Sequence, residues 1–162
     1  MATTPLIFDA GEQIGPYRLV RHLGSGAFGE VWQAVRDAGL GVKVNVALKL
    51  QDSRQFPLEQ IKREVRVWSW VSDHPHILPL IGVDEYQRRG VNYVGIASQY
   101  VAGGSLADWL ARQPHGMADC AAACRVVCGI LDALEYMHGW RDADDKSAPI
   151  ATASGTDLIL GR

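Results

Sequence analysis

Three closely spaced glycines, Gly24, Gly26 and Gly29, separate two segments that have the character of β-strands. Residues 17–23 and 28–35 contain the β-branched and aromatic residues that strands favour, with partial alternation of apolar and polar side chains. Glycine adopts tight backbone conformations that other residues avoid. The pattern therefore predicts a hairpin whose bend is formed by the glycines, with a strand rather than a helix following them.

The order of the remaining elements predicts an α+β fold. Further strands are predicted at residues 44–50, 81–86 and 91–100. Helices are predicted at residues 57–72, 105–111 and 119–138, with Ser105 as the N-cap of the second helix. The chain should therefore form a five-stranded antiparallel sheet with one helix, followed by a helical region.

Composition and charge exclude several classes of protein. Sixteen basic and eighteen acidic residues leave a formal charge of −2, which gives no electrostatic basis for binding nucleic acid or an anionic membrane. The sequence contains no window of about 18 uncharged apolar residues, so no membrane-spanning helix is predicted. Residues 1–11 also lack the pattern of a secretory signal.

The cysteines lie together on the last predicted helix, at Cys120, Cys124 and Cys128. Their odd number and clustering argue against a disulfide framework and favour a reducing, cytoplasmic location. Zinc binding would need a further ligand that the sequence does not supply. We therefore expect small buried cysteines, and a packed rather than catalytic His138 on the same helix.

Residues 24–31 match the pattern G-x-G-x-x-G-x-V, in which backbone amides can approach phosphate oxygens closely. A dinucleotide site would need a helix after the glycines and an acidic residue about 20 positions later. A strand follows instead, and residues 43–45 contain no acid. Two interpretations remain open: a glycine-rich hairpin without a ligand, or a loop over ATP with a lysine on the next strand.

Lys49 is the candidate for that lysine, and Ala47 shares its face of the predicted strand. The alternative is an ordinary exposed lysine. Glu64 lies about 60° from the centre of the apolar stripe of the helix predicted at 57–72. A carboxylate near such a stripe is costly unless it is paired. Lys49 is therefore its predicted partner, and a Glu64 side chain turned towards water is the alternative.

The order of these motifs resembles the protein kinase family, in particular serine/threonine kinases. The segments that carry the resemblance are the glycine motif, V-A-L-K at 46–49, R-E-V at 63–65, H-P-H-I-L-P-L-I-G-V at 74–83, a hinge-like segment at 96–106 and L-E-Y-M-H at 134–138. The resemblance implies a kinase-like small lobe followed by the first helices of a truncated large lobe. Its implied divisions are an irregular lead-in at 1–15, the small lobe at 16–101, hinge and helices at 102–138, and an irregular tail at 139–162.

The resemblance also implies an ATP site. Lys49 would hold the phosphates and Glu64 would brace it, as the catalytic ion pair of the family. Residues expected to contact ATP are Leu23, Gly24, Ser25, Gly26, Ala27, Phe28, Gly29, Val31, Ala47, Lys49, Gln99, Val101 and Asp108.

Individual roles within this set follow from the same resemblance. The backbone of Gln99 and Val101 would bond the adenine edge, and Asp108 would lie near the ribose. The side chains expected to sandwich adenine are those of Leu23, Val31 and Ala47.

Residues 139–162 do not carry the catalytic base, the metal-binding Asn or the D-F-G aspartate of the family. Segments 144–150 and 156–159 only echo those motifs. We therefore expect no metal ligands in this chain, although the family uses Mg²⁺, and we expect weak ATP binding. Three functions stay open: the front part of a serine/threonine kinase, a non-catalytic nucleotide-binding regulator that pairs with a protein partner or another kinase lobe, and a non-functional truncated gene product.

Overall fold

The computed structural model describes residues 7–26, 29–114 and 119–139. The strands in this part of the chain are β1 (Gln13–Ile14), β2 (Tyr17–Gly26), β3 (Gly29–Asp37), β4 (Lys43–Asp52), β5 (Leu80–Arg88) and β6 (Val91–Gln99). The helices are α1 (Leu58–Val71), α2 (Leu106–Ala111) and α3 (Cys120–Gly139). The strands form one antiparallel sheet in the order β1-β2-β3-β4-β6-β5.

The predicted α+β class is confirmed, and the sheet contains one strand more than the sequence indicated. β1 lies in the stretch that was expected to be irregular, and it pairs Gln13 with Arg18 and Ile14 with Tyr17. Gly15 makes the reversal between the two strands at φ +54°. Two residues are too few to show a strand period, so only the pairing with β2 reveals this element.

The two faces of the sheet have different compositions. One face carries the main apolar core, whose buried members are Phe8, Ile14, Tyr17, Leu19, Trp32, Ala34, Val46, Leu48, Leu50, Tyr93 and Ala97. Directly paired residues point to the same side of a sheet. The pairs Val31–Lys49 and Gln33–Ala47 between β3 and β4 therefore lie together on the opposite face.

The chain divides into two compact units, residues 1–65 with 80–100 and residues 66–79 with 101–162. The first unit contains the sheet and the first turns of α1, where Ile61 is buried. In the second unit, Trp68 and Met137 pack against a small core of Val71, Ile77 and Ala133. The Trp68 indole N–H also donates to the carbonyl oxygen of Leu78 at 2.7 Å.

Helix α3 corrects two expectations. All three cysteines, Cys120, Cys124 and Cys128, are exposed, so the prediction that they are buried is wrong. His138 is also exposed rather than packed. Helical periodicity identified an apolar face, but only Ala133 is buried along α3 in the part of the chain that the structure describes. Within the same described residues, no helix combines the length and apolarity needed to cross a membrane.

Candidate functional site

The end of β2 and the start of β3 hold the glycine motif in a paired hairpin. Gly24 pairs with Val31, Ser25 with Glu30 and Gly26 with Gly29. A bulge interrupts the ladder at Leu23, between His22 and Gly24, and leaves the Leu23 side chain 40% exposed. Ala27 and Phe28 lie outside the described residues.

The backbone of this hairpin is open where a ligand would approach. A Cβ placed on Gly24 or Gly26 would meet no atom of the described residues within 4 Å. At Gly29 the same addition would stand 2.1 Å from the carbonyl oxygen of Leu50, and φ is +106°. The first two glycines thus leave backbone that another group can approach closely. The third glycine lets β3 run against β4.

Lys49 and Glu64 are brought together, with Nζ 3.3 Å from Oε1. β4 presents Lys49 on the face opposite the apolar core, and the first half of α1 carries Glu64. The two side chains keep 24% and 30% of their surface exposed. Such a partly solvated pair stabilises the fold only modestly, so its main physical effect is to hold the ammonium group in one place.

The neighbouring residues of the same face are supplied by β6. Ser98 pairs with Ala47 and Ile96 pairs with Lys49. Ser98 is 2% exposed and Ala47 8% exposed, so both side chains are buried. Val31 is half-buried beside them on β3. Gln99, the last residue of β6, is exposed and pairs with Val46.

Val101 and Asp108 belong to the second compact unit. Val101 is half-buried. Asp108 forms a capping box at the start of α2, where its Oδ2 accepts hydrogen bonds from the backbone N–H and the hydroxyl of Ser105, both at 2.7 Å. The hydroxyl hydrogen bond and the backbone hydrogen bond lower the pKa of this carboxyl. The structure therefore gives Asp108 a local role in starting α2, together with the N-cap Ser105 that the sequence predicts.

The described residues, 7–26, 29–114 and 119–139, contain no group of three or more His, Cys, Asp or Glu side chains that could hold a metal ion. The segments that faintly echo the family's catalytic motifs, 144–150 and 156–159, lie outside the described residues.

Sequence reasoning missed Glu30. This residue follows the third glycine directly and is only 5% exposed, although it is a carboxylate. The signal was available in the alternation of β3, because Glu30 shares its face of the strand with Trp32 and Ala34, which are both apolar-core residues. Side chains alternate between the two faces of a strand, so Glu30 faces the core rather than solvent.

Comparison with known proteins gives a consistent result. The family model described as protein tyrosine and serine/threonine kinase matches residues 17–141. The putative CBL-interacting protein kinase 27 of Oryza sativa subsp. japonica is 36% identical over 127 residues, which cover 77% of this chain and 30% of that protein. The MAP kinase kinase kinase wis4 of Schizosaccharomyces pombe is 33% identical over 117 residues, covering 70% of this chain and 8% of that protein.

Solved structures lead to the same family. A crystal structure of the Mycobacterium tuberculosis PknI kinase domain is 25% identical and superposes with a TM-score of 0.60, covering 81% of this chain and 51% of that one. A double mutant of the same domain gives 26% identity and a TM-score of 0.63, with coverage of 82% and 51%. The chain thus spans less than a third of the curated relatives and about half of these kinase domains. It belongs to the protein tyrosine and serine/threonine kinase family.

Proposed function

We propose that the chain is the ATP-binding portion of a serine/threonine protein kinase-like protein. The observation that carries this proposal is the 3.3 Å pair of Lys49 and Glu64 on the sheet face opposite the apolar core. A lysine on the strand after a glycine hairpin, paired with a helix glutamate, is the arrangement with which kinases hold the phosphates of ATP.

The chemistry of the surrounding residues supports a nucleotide. Ala47 and Val31 give a small and an apolar surface on the Lys49 side of the sheet, which suits a planar base. Gly24 and Gly26 leave backbone open to phosphate oxygens. ATP, when bound, supplies the phosphoryl group that the family transfers to serine and threonine hydroxyls. Glu64 would keep the Lys49 ammonium directed at the phosphates, and the remaining contacts proposed for adenine and ribose are those of Leu23, Gln99, Val101 and Asp108.

We further propose that a polypeptide of residues 1–162, tested alone, binds ATP weakly and does not transfer its γ-phosphate. Residues 139–162 lack the catalytic base and the metal-binding side chains that define the family's reaction. Binding should therefore depend little on Mg²⁺. The division into a small lobe at 16–101 and a hinge with helices at 102–138 remains part of this proposal.

The first experiment is calorimetric titration with ATP of the wild type and two lysine variants. Lys49→Met removes the ammonium and should weaken ATP binding by about 10-fold, the size expected for a charge-assisted contact. Lys43→Met is the matched control, because Lys43 is exposed on the same strand about 20 Å away and should leave affinity unchanged. Equal affinities for the two variants would contradict the proposal.

A non-catalytic regulatory module is the second candidate, and the surface of α3 favours it. Val127 and Leu131 are 52% and 58% exposed on a helix of twenty residues. An exposed apolar helix face is suited to a protein partner or another kinase lobe. An assay for transfer of labelled γ-phosphate separates the candidates, since transfer by residues 1–162 alone would exclude a purely non-catalytic module. Absence of both transfer and ATP binding would favour a non-functional product.

A further inference from the structure

Residues before the sheet are connected to the glycine hairpin through one buried carboxylate. We infer that Glu30 is a positioning residue, held by the backbone N–H of Ile7 in the lead-in segment (residues 7–12), and that this contact sets the position of the phosphate-binding hairpin. The inference rests on the proposed function, because it concerns the same nucleotide site. No contact between Glu30 and a nucleotide is implied.

The carboxylate of Glu30 accepts hydrogen bonds from two different parts of the chain. Its Oε1 accepts the backbone N–H of Ile7, twenty-three positions earlier, and its Oε2 accepts the indole N–H of Trp32 at 3.0 Å. A carboxylate that is 5% exposed is costly to bury unless its oxygens are hydrogen-bonded. Loss of the Ile7 N–H would therefore leave one buried oxygen without this donor, and the side chain would have to move to find water.

Movement of Glu30 would be transmitted directly to the hairpin. Glu30 pairs with Ser25 on one side and with Leu50 on the other, and the next pair along the ladder is Gly26 with Gly29. Val31, the following residue, points to the opposite face, where it pairs with Lys49. A shift of the β3 backbone at Glu30 thus changes the glycines and the Lys49 face together.

The lead-in segment that supplies this contact is itself held by packing in the main core. Phe8 is 1% exposed in the main core and meets the Tyr93 ring edge-on at 5.0 Å between centroids. The Arg88 guanidinium lies over the Phe8 ring, 4.8 Å from its centroid, and also pairs with Glu12. The Ile7 N–H is therefore carried by backbone that the core itself holds in place.

One substitution isolates the proposed contact. Ile7→Pro removes the backbone N–H without replacing Glu30, Trp32 or any side chain of the main core. Ile7→Ala is the matched control, because it shortens the same partly exposed side chain and keeps the N–H. Glu30→Gln is a second variant, which keeps the size of the side chain but replaces one accepting oxygen with a donating amide.

Amide hydrogen exchange of the nucleotide-free chain gives the first readout. Ile7→Pro should raise exchange at residues 24–26 and 29–31 by at least about 10-fold relative to Ile7→Ala, the size expected for loss of one hydrogen bond to a charged group. Residues 94–98 of β6 should exchange at equal rates in both variants. Equal exchange around the glycines, or a uniform increase across the whole sheet, would overturn the inference.

The ratio of ATP affinity to adenosine affinity gives the second readout. A misplaced phosphate-binding hairpin should weaken ATP binding about five-fold while adenosine binding changes less than two-fold, and Glu30→Gln should shift the ratio in the same direction. General loss of stability would weaken both ligands alike, and that result would overturn the positioning role. If the wild type binds neither ligand, the proposed function fails, and the exchange comparison still decides whether Glu30 positions the hairpin.

Discussion

Gly29 shows how a single backbone position limits what can follow the glycine turn. Its φ of +106° lies in a region that residues with a side chain rarely adopt. A Cβ at this position would also stand 2.1 Å from the carbonyl oxygen of Leu50, which belongs to the backbone of β4 and cannot rotate away. Both effects act in the same direction, so glycine is required here for steric as well as conformational reasons.

Replacing Gly29 should therefore be far more damaging than replacing its neighbour. Gly29→Ala is expected to lower the free energy of unfolding by about 3 kcal/mol, the range of strained and overpacked substitutions. Gly26→Ala, where a Cβ would meet no atom within 4 Å among the residues that the structure describes, should cost less than about 1 kcal/mol. Urea denaturation followed by far-UV circular dichroism measures both. Similar losses in the two variants would contradict the role assigned to the close approach of Leu50.

At the scale of elements, α2 depends on its first turn. It has only six residues, none of them buried, and an isolated helix of that length is not stable in water. The Ser105 hydroxyl accepts the N–H of Asp108 at 3.1 Å, and the Asp108 carboxylate accepts the N–H of Ser105 in return. Local hydrogen bonds, rather than apolar burial, therefore define where this helix begins.

Removal of the cap should open α2 selectively. Ser105→Ala is expected to cost about 1 kcal/mol of local stability, the usual effect of losing an N-cap side chain. Hydrogen exchange at residues 106–111 should accelerate about five-fold, while residues 46–50 of β4 are unchanged. Ser105→Asn, which restores an accepting side chain, should recover most of the protection. Failure of Asn to rescue would indicate that the hydroxyl acts in some other way than as a cap.

At the scale of the whole molecule, contacts distant in sequence hold the lead-in segment against the sheet. Arg88 on β5 pairs with Glu12 across seventy-six positions, and its Nη2 lies 3.0 Å from Oε2. The Tyr86 ring would collide with a Cβ on Gly15 or on Gly95. The N-terminal stretch therefore reaches the edge strand β5 as well as its sequence neighbour β2.

The Glu12 pair predicts a dependence of stability on pH. Burial by itself would raise the pKa of Glu12, but hydrogen bonds from Arg88 and the Asp9 amide, with the Arg88 charge, lower the pKa below its ordinary value of 4.5. A carboxyl whose pKa is lower in the folded state than in the unfolded state stabilises the fold at pH values above its unfolded pKa. This contribution is lost as pH falls below about 4.5 and through the folded-state pKa.

Glu12→Gln should therefore lower unfolding free energy by about 1 kcal/mol at pH 7 and flatten its decline below pH 4.5. Glu85→Gln is the control, because Glu85 is an exposed glutamate on β5. Thermal unfolding from pH 3 to pH 7 compares the variants. If the two variants follow the same pH profile, the Glu12–Arg88 pair does not contribute as described.

Local patterns predicted much of this protein. Strand propensity around residues 17–50 and helical spacing around Ile61 identified the main elements, because each signal is repeated within a few residues of itself. The motif at 24–31, the lysine at 49 and the glutamate at 64 are enough to predict an ion pair from the sequence. The helix cap at Ser105 is equally predictable from the sequence, because both of its partners lie within one turn.

The tertiary structure alone decided what depends on distant partners. β1 exists because Ile14 meets Tyr17 in a pairing too short to leave a periodic signal. Phe8 is buried because Tyr93 and Arg88 both pack against its ring. The exposure of the α3 cysteines follows from which helix face is packed against the small core around Ala133. Sequence spacing specifies which side chains share a face, whereas burial of that face depends on what the rest of the chain brings against it.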